Sequence, residues 1–151
     1  MGASDSQIYA SVKDDLVRYA TALVGPDTAG DVVSTVVVRV LSRGSLEDLR
    51  EPRGYLFRAV LNEAVSSRRR ARREVLGEVE GPPRDVPDIH PEVVAAVLDL
   101  PVQQRAATYL VYWAGHTMAE TAELMGIGQG TVKRYLSLAR DHLKGVLHAH
   151  A

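Results

Sequence analysis

The chain has 151 residues, 46% of them hydrophobic and 25% charged, with a formal net charge of −1. That composition excludes a disordered or collagen-like chain, and the length suits one ordinary domain or two small ones. The absence of cysteine excludes disulfides and thiolate metal sites and fits a reducing compartment.

No apolar run approaches the roughly 18 residues of a membrane span. The first residues, MGASDSQIY, are acidic and polar where a secretion signal is basic and then apolar. These features predict a cytoplasmic protein with no membrane contact; Gly2 with ASDS behind it loosely resembles a myristoylation start and is read as chance. Residues 1–73 hold twelve Lys and Arg against nine Asp and Glu, residues 74–99 one against seven, and residues 100–151 five against three. The near-zero total therefore conceals two basic blocks separated by an acidic one.

Ser4 with Gln7 forms a capping box, and Ile8, Val12, Leu16, Tyr19, Ala20 and Leu23 follow on one helical stripe until Gly25-Pro26. A second helix, capped by Asp27 or Thr28, carries Ala29, Val32, Val33, Val36, Val40 and Leu41 at helical spacing. The run VVSTVVVRV favours strand by propensity, but its apolar and polar residues do not alternate. After a short turn around SLEDL, Pro52 starts a long helix with Tyr55, Leu56, Ala59, Val60 and Ala64 on its buried side.

That helix ends in SSRRRARRE, five arginines in six positions. Cations suit the C-terminal pole of a helix, but like charges three and four apart repel unless a polyanion lies nearby. Nucleic acid or an acidic partner is the expected neighbour. Residues 77–91, GEVEGPPRDVPDIHP, hold two glycines and four prolines and read as a linker. The predicted organisation is all-α: a helical domain over 1–76, an acidic linker over 77–91, and a second helical domain over 92–151, the two separately positioned.

In the second domain Pro101 opens a helix with Val102, Ala106, Tyr109, Leu110 and Trp113 on its apolar stripe, ending at Gly115. Thr117 with Glu120 makes another capping box; Met118, Ala122 and Met125 share a face, and Gly126 supplies the positive φ that ends the helix. After GIGQG, Val132, Leu136, Ala139, Leu143 and Val146 line one side of a last helix, with Lys133, Ser137 and Arg140 on another and Gln129, Thr131 and Arg134 at its start. This spacing predicts a helix-turn-helix whose second helix offers polar and cationic side chains to a major groove.

At these residues the chain resembles a known family. LPVQQRAATYLVYWAGHTMAETAELMGIGQGTVKRYLSLARDHL is similar to the promoter −35 reading domain of bacterial sigma-70 family factors. YATALVGPDTAGDVV, followed by PRGYLFRAVLNEAVSSRRRARRE, resembles the −10 and core-polymerase binding domain of the extracytoplasmic-function (ECF) group.

The resemblance implies a sigma factor that binds core RNA polymerase and directs promoter recognition and initiation, with no active site and no cofactor of its own. It implies −35 contacts by Gln129, Thr131, Lys133, Arg134 and Ser137. It implies −10 contacts by Arg53, Tyr55, Arg58 and Asn62, with Arg68, Arg69, Arg70, Arg72 and Arg73 facing phosphates. Asp31, Ser34, Thr35 and Arg39 fall on the helix that docks on the polymerase clamp, and the apolar docking faces suit an anti-sigma factor as a further partner.

The chain departs from the family pattern at Ser34-Thr35, where Gln-Glu is usual, at Tyr55 for Trp, and at Ser66 for Asp. These departures bear on core binding and melting. Arg134-Tyr135 for Ser-Arg bears on the −35 sequence, and Thr121 stands for a common Ile.

Two other readings compete. A sigma-like DNA-binding regulator would keep the build without directing initiation. An enzyme or metal protein would use His116 and Glu120, or His142, His148 and His150, but no phosphate loop or zincin motif accompanies them. The His-Glu spacing reads as helix surface beside a cap.

Overall fold

The computed structural model describes residues 2–74, 96–97 and 99–149, with side chains for 2–70, 96–97 and 99–145. Every regular element among these residues is helical. The linker over 77–91, both domain boundaries and the side chains of Arg72, Arg73 and Val146 lie outside the described residues.

Helix α1 (Asp5–Val24) starts on the expected capping box: Gln7 N donates to Ser4 Oγ at 3.3 Å and Ser4 N to Gln7 Oε1 at 2.9 Å. Gly25, at φ 88°, ends it and serves as N-cap of α2 (Pro26–Arg43). The cap is therefore Gly25 rather than Asp27 or Thr28, because Pro26 already occupies the first helical position, where its missing N–H costs nothing. The valine run is helical, and burial of Val32, Val33, Val36 and Val40 against α1 overrides its strand propensity. Leu41 is exposed instead of buried.

A single 3₁₀ turn, Leu46–Asp48, joins α2 to α3 (Pro52–Glu74). It is tied to the start of α1: Asp5 Oδ1 accepts from Ser45 Oγ at 2.6 Å and Leu46 N at 2.8 Å. Helix α3 buries Leu56, Phe57, Val60, Leu61 and Ala64. Tyr55, expected inside, is exposed, and Phe57 fills that role by stacking on Tyr19 with ring centroids 4.9 Å apart.

Helix α4 (Val102–Thr108) runs directly into a π-helical turn, Tyr109–Trp113, in which Ala114 N bonds to Tyr109 O, five residues back. Widening the turn advances the helical phase. Trp113 is consequently 67% exposed, whereas an unbroken α-helical stripe puts it inside. Helix α5 (Met118–Met125) carries the expected Thr117–Glu120 capping box and ends at Gly126, φ 70° and ψ 34°, in a left-handed cap. Ile127 N reaches Ala122 O at 3.0 Å and Gly126 N reaches Glu123 O at 3.2 Å, the paired bonds of a Schellman motif. Helix α6 (Gln129–Ala149) buries Val132, Leu136 and Ala139.

The sequence reading has two separately positioned helical units, but the described helices share one hydrophobic core that runs from Val12 to Leu136. Helix α1 packs on α4, and α3 packs on both α4 and α5. Tyr109 approaches Tyr19 at 6.0 Å between centroids, so Tyr19 lies between aromatic rings from both halves. Arg105, on the buried stripe of α4, is 1% exposed. Its guanidinium donates to Leu23 O at the end of α1, to Val97 O at 3.1 Å and to Leu100 O at 2.8 Å.

Candidate nucleic-acid interface

The helix-turn-helix is built by α5, Gly126 and α6. Val132 and Leu136 anchor the first two turns of α6 in the core, which turns Gln129, Lys133, Arg134 and Ser137 to solvent; Thr131 is half-buried. The five −35 candidates thus surround the exposed start of one helix. His116 and Glu120 are absorbed by the cap: His116 Nδ1 lies 3.2 Å from Glu120 Oε2, and Glu120, the third residue of the helix, closes the capping box. That hydrogen bond from His116, ahead of those from Thr117, holds the Glu120 carboxyl below its ordinary value. His142 lies 3.3 Å from Asp99 Oδ2. The side chain of His148 and all of His150 fall outside the described residues.

The −10 candidates divide. Tyr55 and Asn62, both exposed on α3, line a hollow of about 170 Å³ together with Val36, Arg39, Val40, Arg43 and Ala59. Arg53 is held elsewhere: its Nη1 pairs with Asp15 Oδ2 of α1 at 2.8 Å, and its guanidinium lies 4.8 Å from the Phe57 ring. Arg58 reaches across to the helix-turn-helix and donates to Glu123 O at 2.9 Å. A β-carbon on Gly126 would stand 2.7 Å from Arg58 Cδ, so that glycine serves the close approach as well as the left-handed turn.

Of the arginine cluster, Arg68 is half-buried, while Arg69 and Arg70 are exposed. Arg70 Nη2 donates to Glu63 Oε1 at 2.7 Å. Arg72 and Arg73 lie on the last turn of α3.

On α2, Asp31, Ser34 and Thr35 face solvent on one stripe that continues through Val38, 68% exposed, and Leu41. Arg39 leaves this group and joins the α2–α3 seam, where its Nη1 lies 3.3 Å from Glu63 Oε2. Sequence reasoning missed Glu63, although it falls three residues after Val60 and seven after Leu56, on the stripe that the apolar spacing already marks as buried. Arg105 was missed for the same reason, standing beside Val102 and Ala106.

Residues 91–143, which hold α4, α5 and the first fifteen residues of α6, match the family model described as Sigma-70, region 4. The chain is 33% identical over 146 residues to the RNA polymerase sigma-E factor of Streptomyces coelicolor, covering 91% of this chain and 82% of that protein. It is 32% identical over 140 residues to the ECF RNA polymerase sigma factor SigL of Mycobacterium tuberculosis, covering 82% and 77%. The chain belongs to the ECF group of sigma-70 family sigma factors.

The match to a further ECF sigma factor, SigM of M. tuberculosis, is 31% identical over 105 residues and spans 62% of this chain and half of that relative. Among solved structures the fold is shared with the sigma factor RpoE of Bartonella quintana in complex with the anti-sigma factor NepR, at a TM-score of 0.72 and 24% identity over 95% of this chain and 96% of that one. CnrH in complex with the cytosolic domain of CnrY has the same fold at a TM-score of 0.63 and 20% identity, covering 97% of this ECF chain and 89% of that chain. No described helix is long and apolar enough to cross a membrane.

Proposed function

We propose that this ECF sigma factor binds core RNA polymerase in the cytoplasm and directs it to promoters, without catalytic chemistry of its own. The observation that carries the reading is the start of α6, where four polar or cationic side chains face solvent beside a core-anchored Val132 and Leu136. In this reading residues 92–151 read the −35 element through Gln129, Thr131, Lys133, Arg134 and Ser137. Residues 1–76 serve the −10 element through Arg53, Tyr55, Arg58, Asn62 and the arginine cluster, and residues 77–91 join the two. The exposed stripe of Asp31, Ser34 and Thr35, flanked by Val38, docks on the polymerase.

Aromatic and amide side chains suit unpaired bases, which favours Tyr55 and Asn62 for the melted strand. Arg58 engages Glu123 O through Nη1, and a single such bond costs about 1 kcal/mol to exchange for another. An anti-sigma factor is a further partner in this reading, as NepR is for the Bartonella RpoE, and the exposed Val38 and Leu41 offer it an apolar seat. Mixing the purified chain with core polymerase and passing it over a sizing column tests the docking. A one-to-one complex weakened by Val38→Asp is expected, and a chain that elutes alone contradicts it.

A further inference from the structure

Glu63 sits in the seam between α2 and α3 and is 5% exposed, yet each of its carboxylate oxygens meets a different arginine. Oε1 accepts from Arg70 Nη2 at 2.7 Å, and Oε2 lies 3.3 Å from Arg39 Nη1. A carboxylate taken out of water needs such partners, because desolvation alone costs several kcal/mol. Arg70 comes from two turns further along α3, folding back toward the helix N-terminus as long helical side chains do. Arg39 comes from the sequence-distant α2.

Each guanidinium meets Glu63 through one terminal nitrogen, although a guanidinium carries five N–H donors. The Arg39 and Arg70 side chains remain 49% and 60% exposed, so contact with Glu63 shuts neither of them away from solvent. Two cations against one carboxylate leave a net positive charge at the seam. The same Arg39 lines the hollow that holds Tyr55 and Asn62.

We propose that Glu63 is a positioning residue, holding Arg39 and Arg70 as a two-guanidinium seat for one backbone phosphate of the promoter strand. This rests on the reading that the arginine cluster faces DNA, and it moves Arg39 from the polymerase-docking group to the DNA-facing one. Glu63 fixes one edge of each planar fork, and the other edges take the phosphate oxygens; lysine, a flexible point charge, cannot make both contacts in one geometry.

The test uses the full chain and a fluorescein-labelled duplex of mixed sequence, with anisotropy titrations across a NaCl series. Arg70→Ala and Arg39→Ala are each expected to flatten the log-log salt slope by about 0.9, and the double variant by the same amount, because they share one phosphate. Glu63→Gln is expected to lower affinity by roughly threefold to tenfold although it removes a negative charge, and to change little in the Arg70→Ala background. Higher affinity for Glu63→Gln overturns the proposal, since the carboxylate would then be withholding Arg70 from DNA. Equal losses with and without Arg70 also overturn it, marking a structural role only. Should Glu63→Gln fail to fold, Arg70→Lys decides: a loss close to that of Arg70→Ala supports the seat, and wild-type binding overturns it. Arg69→Ala separates the layers of the argument. A flattened slope for Arg69→Ala with an additive Arg39/Arg70 pair sinks the seat alone, whereas unchanged slopes for Arg69→Ala and Arg70→Ala together sink the DNA reading of the cluster.

Discussion

Arg58 and Glu123 join the two halves of the molecule: the guanidinium of a −10 candidate on α3 is bonded at 2.9 Å to the carbonyl of a residue in the last turn of α5. The same guanidinium stem lies against Gly126, where the helix-turn-helix makes its turn. Gly126→Ala should therefore carry two separable costs, about 1 kcal/mol for a β-carbon in the left-handed region and a further part for the crowding of Arg58. Urea denaturation in a double-mutant cycle reads both. In the Arg58→Ala background only the backbone part should remain.

Arg105 makes the other link across the seam. Its removal takes a donor from the buried carbonyls of Leu23 and Leu100, while Val97 O keeps the Leu100 amide, so Arg105→Met, although similar in volume, should cost about 1 to 3 kcal/mol for each stranded carbonyl. Burial lowers the pKa of this guanidinium to about 10, with Arg68 lowering it further and Asp99 opposing, so it is still cationic at neutral pH. A chemical denaturation midpoint within error of wild type would refute this assignment.

Tyr19 presents the opposite case. Its hydroxyl is buried with no protein hydrogen-bond partner among the described residues, and burial pushes its pKa well above the ordinary phenol value. Tyr19→Phe keeps the stacking on Phe57 and removes an unsatisfied group, so stability should hold or rise by about 1 kcal/mol. A loss of more than that in thermal melts would mean that the hydroxyl is satisfied in solution.

Asp5 supplies a pH signature. The hydrogen bond from Ser45, followed by those from the Leu46 and Glu47 amides, holds its carboxyl below the ordinary value of 3.8. A depressed carboxyl contributes stability that is present above that value and lost as pH falls through the folded one. Asp5→Asn should melt lower than wild type near neutral pH, and the gap should close as pH falls below about 4. A gap independent of pH would assign the effect to shape rather than charge.

Much of this fold is legible in the sequence because its punctuation is local. The Ser4–Gln7 and Thr117–Glu120 boxes, the Gly25-Pro26 break and the left-handed Gly126 each depend on a few adjacent residues, and all stand where the spacing puts them. Tertiary effects were harder to read. The π turn that swings Trp113 outward follows from no residue pattern, and Tyr55 yielded its place to Phe57 because Tyr19 supplied a ring to stack on. At the candidate interface the exposed start of α6 follows from periodicity, whereas the partners of Arg39, Arg53 and Arg58 depend on which helices meet.

Base reading should separate two neighbours on α6. Arg can form a bidentate bond with guanine in the major groove, whereas Lys more readily serves a phosphate. Arg134→Ala should cost about 1 to 3 kcal/mol on the preferred −35 element and relax the preference there, while Lys133→Ala weakens all sequences alike. Selection over a randomised −35 library reads the difference, and unchanged base preferences for Arg134→Ala would make Arg134 a backbone anchor.

Run-off transcription with purified core RNA polymerase tests the central claim most directly. On fragments enriched for binding, adding this chain should create transcripts from start sites that core polymerase alone does not use, and Asn62→Ala with Tyr55→Ala should abolish them while duplex binding persists. A chain that binds those fragments by itself and adds no start site would be a DNA-binding regulator, and its assignment as a promoter-directing sigma factor would be wrong.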